Sequence, residues 1–82
     1  MNEQLYQTVA NILVEKLRVE PVKITAEAKL VADLAFDSLD EVELGRLLGN
    51  TFNVEVTDGE LADIATVGDI IALLSHKGAS TP

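Results

Sequence analysis

Ser38 is the residue whose surroundings best suit chemistry. It stands at the predicted junction of a loop and a helix, in a segment that holds five acids: Asp33, Asp37, Asp40, Glu41 and Glu43. The start of a helix offers unpaired backbone N–H groups and the positive end of the helix dipole. That arrangement favours a phosphate group. The sequence therefore predicts that a phosphodiester on Ser38 is tolerated despite the nearby acids.

A purely structural role for Ser38 is also open. Ser38 and Glu41 have the spacing of a capping box, in which a serine side chain and an acid three residues later satisfy N–H groups at the helix start. Most such patterns are only caps, worth about 1 kcal/mol, and local pattern alone favours the cap. The same pair suits an acid-directed kinase. A cap, a phosphorylation site and another phosphoester all remain candidates at this point.

Several other chemistries find no support in the sequence. The chain has no Cys, which excludes disulfides and thiolate catalysis. Its one histidine, His76, lies near the C-terminus as a helix-end residue, and there is no G-x-S-x-G elbow for a serine hydrolase. Counting from Asp33 or Asp37, an EF-hand loop lacks its glycine and its final glutamate. We expect no dedicated metal site, although weak divalent binding among the acids stays open.

The elements that must position Ser38 are predicted to be helices only. Apolar residues at three- and four-residue spacing predict helices over about 3–17 and 38–52 and a last helix capped by Thr66 and Asp69. A short helix is predicted over 59–64. Three long helices and one short one form a small all-α four-helix bundle with a long first loop. The expected core stripes are Leu5, Val9, Ile12, Leu13, Leu17, Leu44, Leu47, Leu48, Phe52, Val67, Ile70, Ile71 and Leu74.

The connections carry three further expectations. The first helix should end near residue 18 or 19, because Pro21 disfavours a helical residue before it. The long loop over 19–37 should be pinned to the core by Val22, Ile24, Leu30, Val31 and Leu34. Gly45 and Gly49 share a helix face, which indicates either a close approach there or a loose helix. We expect one domain over 1–77 and a disordered tail over 78–82.

The net charge is strongly negative, and the acidic residues are unevenly distributed along the chain. The formal net charge is −8, and between Asp33 and Asp69 there are ten acids and one base, Arg46. Such a surface repels nucleic acid and anionic lipid and attracts basic protein patches, although it can also serve solubility alone. The chain has no run of membrane-spanning length and no signal-peptide pattern. We expect a cytoplasmic monomer that binds neither membranes nor nucleic acid.

The segment around Ser38 resembles a known attachment motif. Asp37-Ser38-Leu39-Asp40 is similar to the D-S-L-D/E motif of acyl carrier proteins. The likeness continues upstream in Asp33-Leu34 and downstream in Val42-Glu43-Leu44, in Phe52 and in the segment 64–69, so it covers most of the chain. The length, the acidity, the absence of Cys and the long first loop agree with the same family.

The resemblance implies a carrier and not an enzyme. A separate transferase would move 4′-phosphopantetheine from coenzyme A to the Ser38 hydroxyl with the help of Mg²⁺. Asp37 and Leu39 would flank the attachment point. Acyl cargo would ride as a thioester on the arm and pass between enzymes of fatty-acid, polyketide or related synthesis, with the cargo and pathway left open. Peptidyl carriers share the arm, but the acidic context here favours acyl cargo.

The resemblance also implies a recognition surface on the second helix. Asp40, Glu41, Val42 and Glu43 would meet partner enzymes that carry basic patches. Arg46 departs from the pattern, since common fatty-acid carriers have an apolar contact there. This indicates a specialised carrier with a restricted set of partners, unless Arg46 merely pairs with Glu43 or Asn50. The alternative from another class is a non-carrier acidic helical interaction module, with Ser38 as a cap or a phosphorylation site.

Overall fold

The structure is a computed structural model that describes residues 3–79. Within that range it contains four α-helices: α1 (Glu3–Glu15), α2 (Ser38–Phe52), α3 (Asp58–Asp63) and α4 (Val67–His76). A short 3₁₀ helix, Pro21–Lys23, interrupts the first loop. Residues 3–79 include no strand, only an isolated antiparallel bridge between Lys29 and Thr66. The predicted all-α four-helix bundle with a long first loop is confirmed.

The core is aliphatic, as the stripes predicted. α1 and α4 pack against each other, and every predicted stripe residue is buried except Leu17 and Leu47, which are half-buried. Phe36 from the first loop joins them, with only 5% of its surface exposed. Its ring fixes the loop two residues before Ser38, so a large residue in this place anchors the entry to α2.

Each of the last three helices begins with a capping box. Asp37 caps α2, Thr57 caps α3 and Thr66 caps α4, each bonded to the N–H of the residue three positions on. The predicted Thr66–Asp69 pair is confirmed. α3 begins one residue earlier than predicted, because Thr57 and Glu60 form the box that starts it.

The end of α1 differs from the sequence expectation, and α4 ends in a defined motif. α1 ends at Glu15, about half a turn before the predicted end, because the chain turns through Arg18, whose φ is +61°. At the other end of the chain, Gly78 has a φ of +70°, and Ala79 donates its N–H to the Leu74 carbonyl at 2.9 Å. The Gly78 N–H also donates to the Ser75 carbonyl at 3.1 Å. The two bonds make a Schellman motif, which caps the C-terminal end of α4. The rest of the predicted tail, 80–82, lies outside the described residues.

The first loop is pinned mainly by backbone bonds to the start of α4. Leu30 donates its N–H to Ala65, and Val67 and Gly68 donate theirs to Ala28 and Ala26, at 2.8–3.1 Å. Among the predicted apolar anchors, Leu30 is buried and Ile24 and Leu34 are half-buried. The other two anchors were predicted wrongly: Val22 is 85% exposed and Val31 63% exposed. Backbone hydrogen bonds to the start of α4, and not the side chains of Val22 and Val31, hold the loop in place.

Candidate functional site

Ser38 is the first residue of α2, and its side chain is exposed. Within residues 3–79 its hydroxyl has no hydrogen-bond partner. The alternative in which Ser38 and Glu41 form the capping box is contradicted by the structure, and the compatible arrangement, in which Asp37 caps the helix and Ser38 is left for modification, is present. The cap is Asp37, one residue earlier, whose carboxylate accepts from the Asp40 N–H at 2.9 Å. Ser38 is thereby left free to be modified without loss of the cap.

The box at this helix start is built from two acids. Asp40 returns the bond, with its Oδ2 accepting from the Asp37 N–H at 3.0 Å. Asp37 is extended, and its carbonyl accepts from the Glu41 N–H at 3.1 Å, which begins the helical ladder. Two carboxylates at the positive end of the helix dipole are also favoured electrostatically. The acids that flank Ser38 therefore hold the backbone that presents it.

A phosphate ester fits the position that Ser38 occupies. The N–H groups of Ser38 and Leu39 have no acceptor among residues 3–79, since the box uses only those of Asp37 and Asp40. Such uncommitted N–H groups at the start of a 15-residue helix are suited to phosphate oxygens. The exposed hydroxyl lets a transferase reach it without displacing any core residue.

A cleft of about 200 Å³ opens beside Ser38 between α2 and α3. Glu41 and Val42 of α2 line one side of it, and Asp58, Leu61 and Ala62 of α3 line the other. Glu41 and Ala62 also line a second cleft, of about 340 Å³, whose far side is formed by loop residues 29–32. The two clefts share these two lining residues, and Ser38 lines the smaller cleft.

The contribution of α3 was missed by the sequence analysis. Leu61 and Ala62 are about 20 residues from Ser38 along the chain, and no local spacing relates the two segments. The one available signal was the pair of glycines in α2. A Cβ built on Gly45 would lie 2.7 Å from Cδ1 of Leu61, so the close approach predicted for that face is present.

The five acids around Ser38 differ in what their carboxylates contact. Asp33 accepts from the Lys29 N–H at 2.8 Å and so belongs to the loop. Asp37 and Asp40 form the capping box. Only the Glu41 carboxylate accepts no hydrogen bond from any residue in the range 3–79. Within that range no three metal-ligating side chains come close enough to hold an ion.

Glu43 and Arg46 form an exposed ion pair on α2. The Arg46 Nε donates to Oε1 of Glu43 at 2.9 Å, and Nη2 donates to Oε2 at 2.7 Å. These bonds lower the pKa of Glu43 and raise the pKa of Arg46. The alternative to a discriminating role, in which Arg46 pairs with Glu43 or Asn50, is thus present in the bond to Glu43, and no bond to Asn50 is present among the described residues.

The exposed side of α2 is apolar as well as charged. Leu39 is 76% exposed and Val42 66% exposed, and at three-residue spacing they share one side of the helix. They follow Ser38 directly along the helix. All predicted site residues thus lie on the first three turns of α2 or at its cap, and the apolar ones face solvent.

Comparisons with known proteins agree on one family. The family model described as "Phosphopantetheine attachment site" matches residues 7–74. An acyl carrier protein of Thermotoga maritima is 43% identical over 92% of this chain and 93% of its own length. One from Wolinella succinogenes is 43% identical over 82% and 88%.

A solved structure agrees as well. A chain from Mycobacterium tuberculosis that is assigned to the acyl carrier proteins superposes with a TM-score of 0.80 at 29% identity, over 88% of this chain and 96% of its own. Residues 3–79 contain no helix that is both long and apolar enough to cross a membrane.

Proposed function

Because the chain belongs to the acyl carrier protein family, we propose that it carries its covalent 4′-phosphopantetheine on Ser38. When bound, the arm supplies a terminal thiol on which acyl groups are carried as thioesters. The chain itself has no Cys and cannot supply that thiol. The single observation that carries the proposal is an exposed, unbonded serine hydroxyl at the start of a long helix whose cap is made by another residue.

The transfer needs only a nucleophilic hydroxyl from this chain. Ser38 Oγ forms a new bond to the pantetheine phosphorus of coenzyme A, and the pyrophosphate P–O bond breaks. Adenosine 3′,5′-bisphosphate leaves, and the hydroxyl proton passes to a base of the transferase. Asp37 and Asp40 contribute by holding the helix start, and the unbonded N–H groups of Ser38 and Leu39 would be available to the new phosphate.

The carrier's partners are a phosphopantetheinyl transferase and enzymes that add, modify or remove acyl groups. Acyl carrier proteins are carriers and not catalysts, and we extend that description to this chain. Glu41 supports recognition of basic partner patches, since its carboxylate is not bonded within residues 3–79 and lines both clefts. Val42, with Leu39, supplies apolar contact. Fatty-acid synthesis, the typical role of the family, is the first pathway to test, and a cytoplasmic location and a monomeric state stay predictions.

Intact mass measurement tests the assignment of Ser38. The purified apo chain is incubated with coenzyme A, Mg²⁺ and a broad-specificity phosphopantetheinyl transferase, beside the variant Ser38→Ala and the control Ser75→Ala, which changes an exposed serine on α4. We expect one added phosphopantetheine in the wild type and the control and none in Ser38→Ala. A folded wild-type chain without the added mass would favour the acidic interaction module, and an added mass on Ser38→Ala would move the attachment elsewhere.

A further inference from the structure

An exposed stripe on α2 ends in the Glu43–Arg46 ion pair. Val42 and Glu43 follow Leu39 by three and four residues, and Arg46 follows Leu39 by seven, which places all four on one side of the helix. The Arg46 side chain keeps 57% of its surface exposed and Glu43 keeps 42%. A partner that covers Leu39 and Val42 therefore meets this ion pair on the next turn.

The pair interrupts the acidic surface. Arg46 is the one base among ten acids between Asp33 and Asp69, and it compensates the charge of Glu43. Beyond it, α2 continues with Gly49, Asn50 and Thr51, none of which is charged. On α2 itself, anionic charge without a basic partner is thus confined to the first turn, which holds Asp40 and Glu41.

The Arg46 guanidinium can bind a second carboxylate. Glu43 occupies Nε and Nη2, and Nη1 has no acceptor among residues 3–79. Arginine presents its donors as a planar fork that suits carboxylates, and such charge-assisted bonds are strong. A carboxylate of a partner protein can therefore bind Nη1 of Arg46 while Glu43 keeps its two bonds.

We propose that Arg46 is a specificity-determining residue, which selects partners that place a carboxylate opposite it beside an apolar patch for Leu39 and Val42. This inference rests on the proposed carrier function. A partner with an unbroken basic patch brings like charge to Arg46, and like-charge contacts disfavour a complex. The carrier is thereby matched to enzymes whose docking patch is basic at one end and acidic at the other.

Loading kinetics measure the selection. The probe is a broad-specificity phosphopantetheinyl transferase with a basic docking patch, and kcat and KM are measured for the wild type and Arg46→Met. At low ionic strength we expect Arg46→Met to raise kcat/KM about two- to fivefold, since one unit charge at a rim changes encounter by this order. The change should appear in KM, leave kcat unaltered and fade at about 0.5 M salt.

Two controls separate recognition from net charge. Arg46→Lys keeps the charge and should load like the wild type. Lys16→Met removes an exposed base that follows α1 and gives the same net charge as Arg46→Met. A gain in Lys16→Met as large as that in Arg46→Met would overturn the proposal, as would equal loading of Arg46→Met and the wild type at low salt.

A charge-reversal scan of the transferase tests the predicted carboxylate. Each base of its docking patch is changed in turn to Glu. We expect one such variant to load the wild type better than Arg46→Met, which reverses the order found with the unaltered transferase. No reversal at any position would overturn the carboxylate partner. Failure of the carrier function itself is distinct, because no chain, Arg46→Met included, would then gain phosphopantetheine.

Discussion

Three neighbouring acids around the start of α2 have different roles: Asp37, Asp40 and Glu41. The carboxylates of Asp37 and Asp40 accept the two backbone bonds of the capping box, so they stabilise the start of α2. Glu41 has no such bond within residues 3–79 and lines the clefts beside Ser38. From the sequence, Asp37 is placed beside the attachment point, and Asp40 and Glu41 are placed together on the recognition surface. The roles of the three acids differ because only the carboxylates of Asp37 and Asp40 reach backbone N–H groups. They do so because the residue that caps α2 is Asp37 and not Ser38.

Alanine substitutions should separate stability from recognition. We expect Asp37→Ala to lower the free energy of unfolding by about 1 kcal/mol, because it removes the cap of α2. Glu41→Ala should leave it within about 0.5 kcal/mol, as for other surface changes, yet raise the KM for the transferase. Urea unfolding and loading kinetics measure the two effects. Equal stability of Asp37→Ala and Glu41→Ala would contradict the cap assignment.

At the scale of elements, Leu61 of α3 packs against a position of α2 that has no side chain. Gly45 is buried, and a Cβ there would stand 2.7 Å from Cδ1 and 3.3 Å from Cδ2 of Leu61. The short helix α3 is held further by the bond of Lys77 to Glu60 at 2.8 Å. Gly45 costs α2 some helix propensity, and in return Leu61 reaches the helix and forms a wall of the cleft beside Ser38.

The contact predicts a coupling between residues 45 and 61. Gly45→Ala should gain up to about 1 kcal/mol of helix propensity but lose it to overpacking against Leu61. In a Leu61→Ala background the clash is gone, and the same change should be stabilising. We expect a coupling of about 1 kcal/mol in a double-mutant cycle measured by urea unfolding. Gly59→Ala, which meets no close neighbour except Thr57 Oγ1 at 4.0 Å, is the matched control. Additive effects of Gly45→Ala and Leu61→Ala would contradict the coupling.

The elements with strong local signals were predicted well. The predicted bounds of α2 are confirmed at both residues, Ser38 and Phe52, because an acid pair starts the helix and Asn53, with a φ of +55°, ends it. The end of α1 was placed too late, since the signal used was Pro21 and the turn occurs at Arg18. The approach of Leu61 to Ser38 could not be predicted. It is a contact between segments distant in sequence, and side-chain periodicity carries no information about such partners.

At the scale of the whole molecule, the first loop and the start of α4 hold each other. Residues 26–30 of the loop bond to residues 65–68, and the Lys29–Thr66 bridge lies between them. Asp69 organises the receiving segment, because its Oδ2 accepts from the N–H groups of Ala65 at 2.9 Å and Thr66 at 3.1 Å. The loop that leads to Ser38 is therefore positioned by the far end of the chain.

This arrangement predicts that Asp69 makes a pH-dependent contribution to the free energy of unfolding. The N–H groups of Ala65 and Thr66 and the Thr66 hydroxyl hold the pKa of Asp69 below its ordinary value. A carboxylate with a lowered folded-state pKa adds stability that is fully present above its unfolded-state pKa, about 3.9. That stability is lost as the pH falls through the lower folded-state pKa.

Asp69→Asn should therefore be less stable than the wild type at pH 7, and the difference should shrink below about pH 4. Urea midpoints at a series of pH values measure it. Asp63→Asn is the control, since the carboxylate of this exposed acid has no hydrogen bond among residues 3–79. The stability difference between Asp63→Asn and the wild type should not shrink in acid. A difference between Asp69→Asn and the wild type that stays constant into acid would mean that the charge of Asp69 does not hold the loop segment. The amide of the variant would then bind the Ala65 and Thr66 N–H groups as well as the carboxylate does.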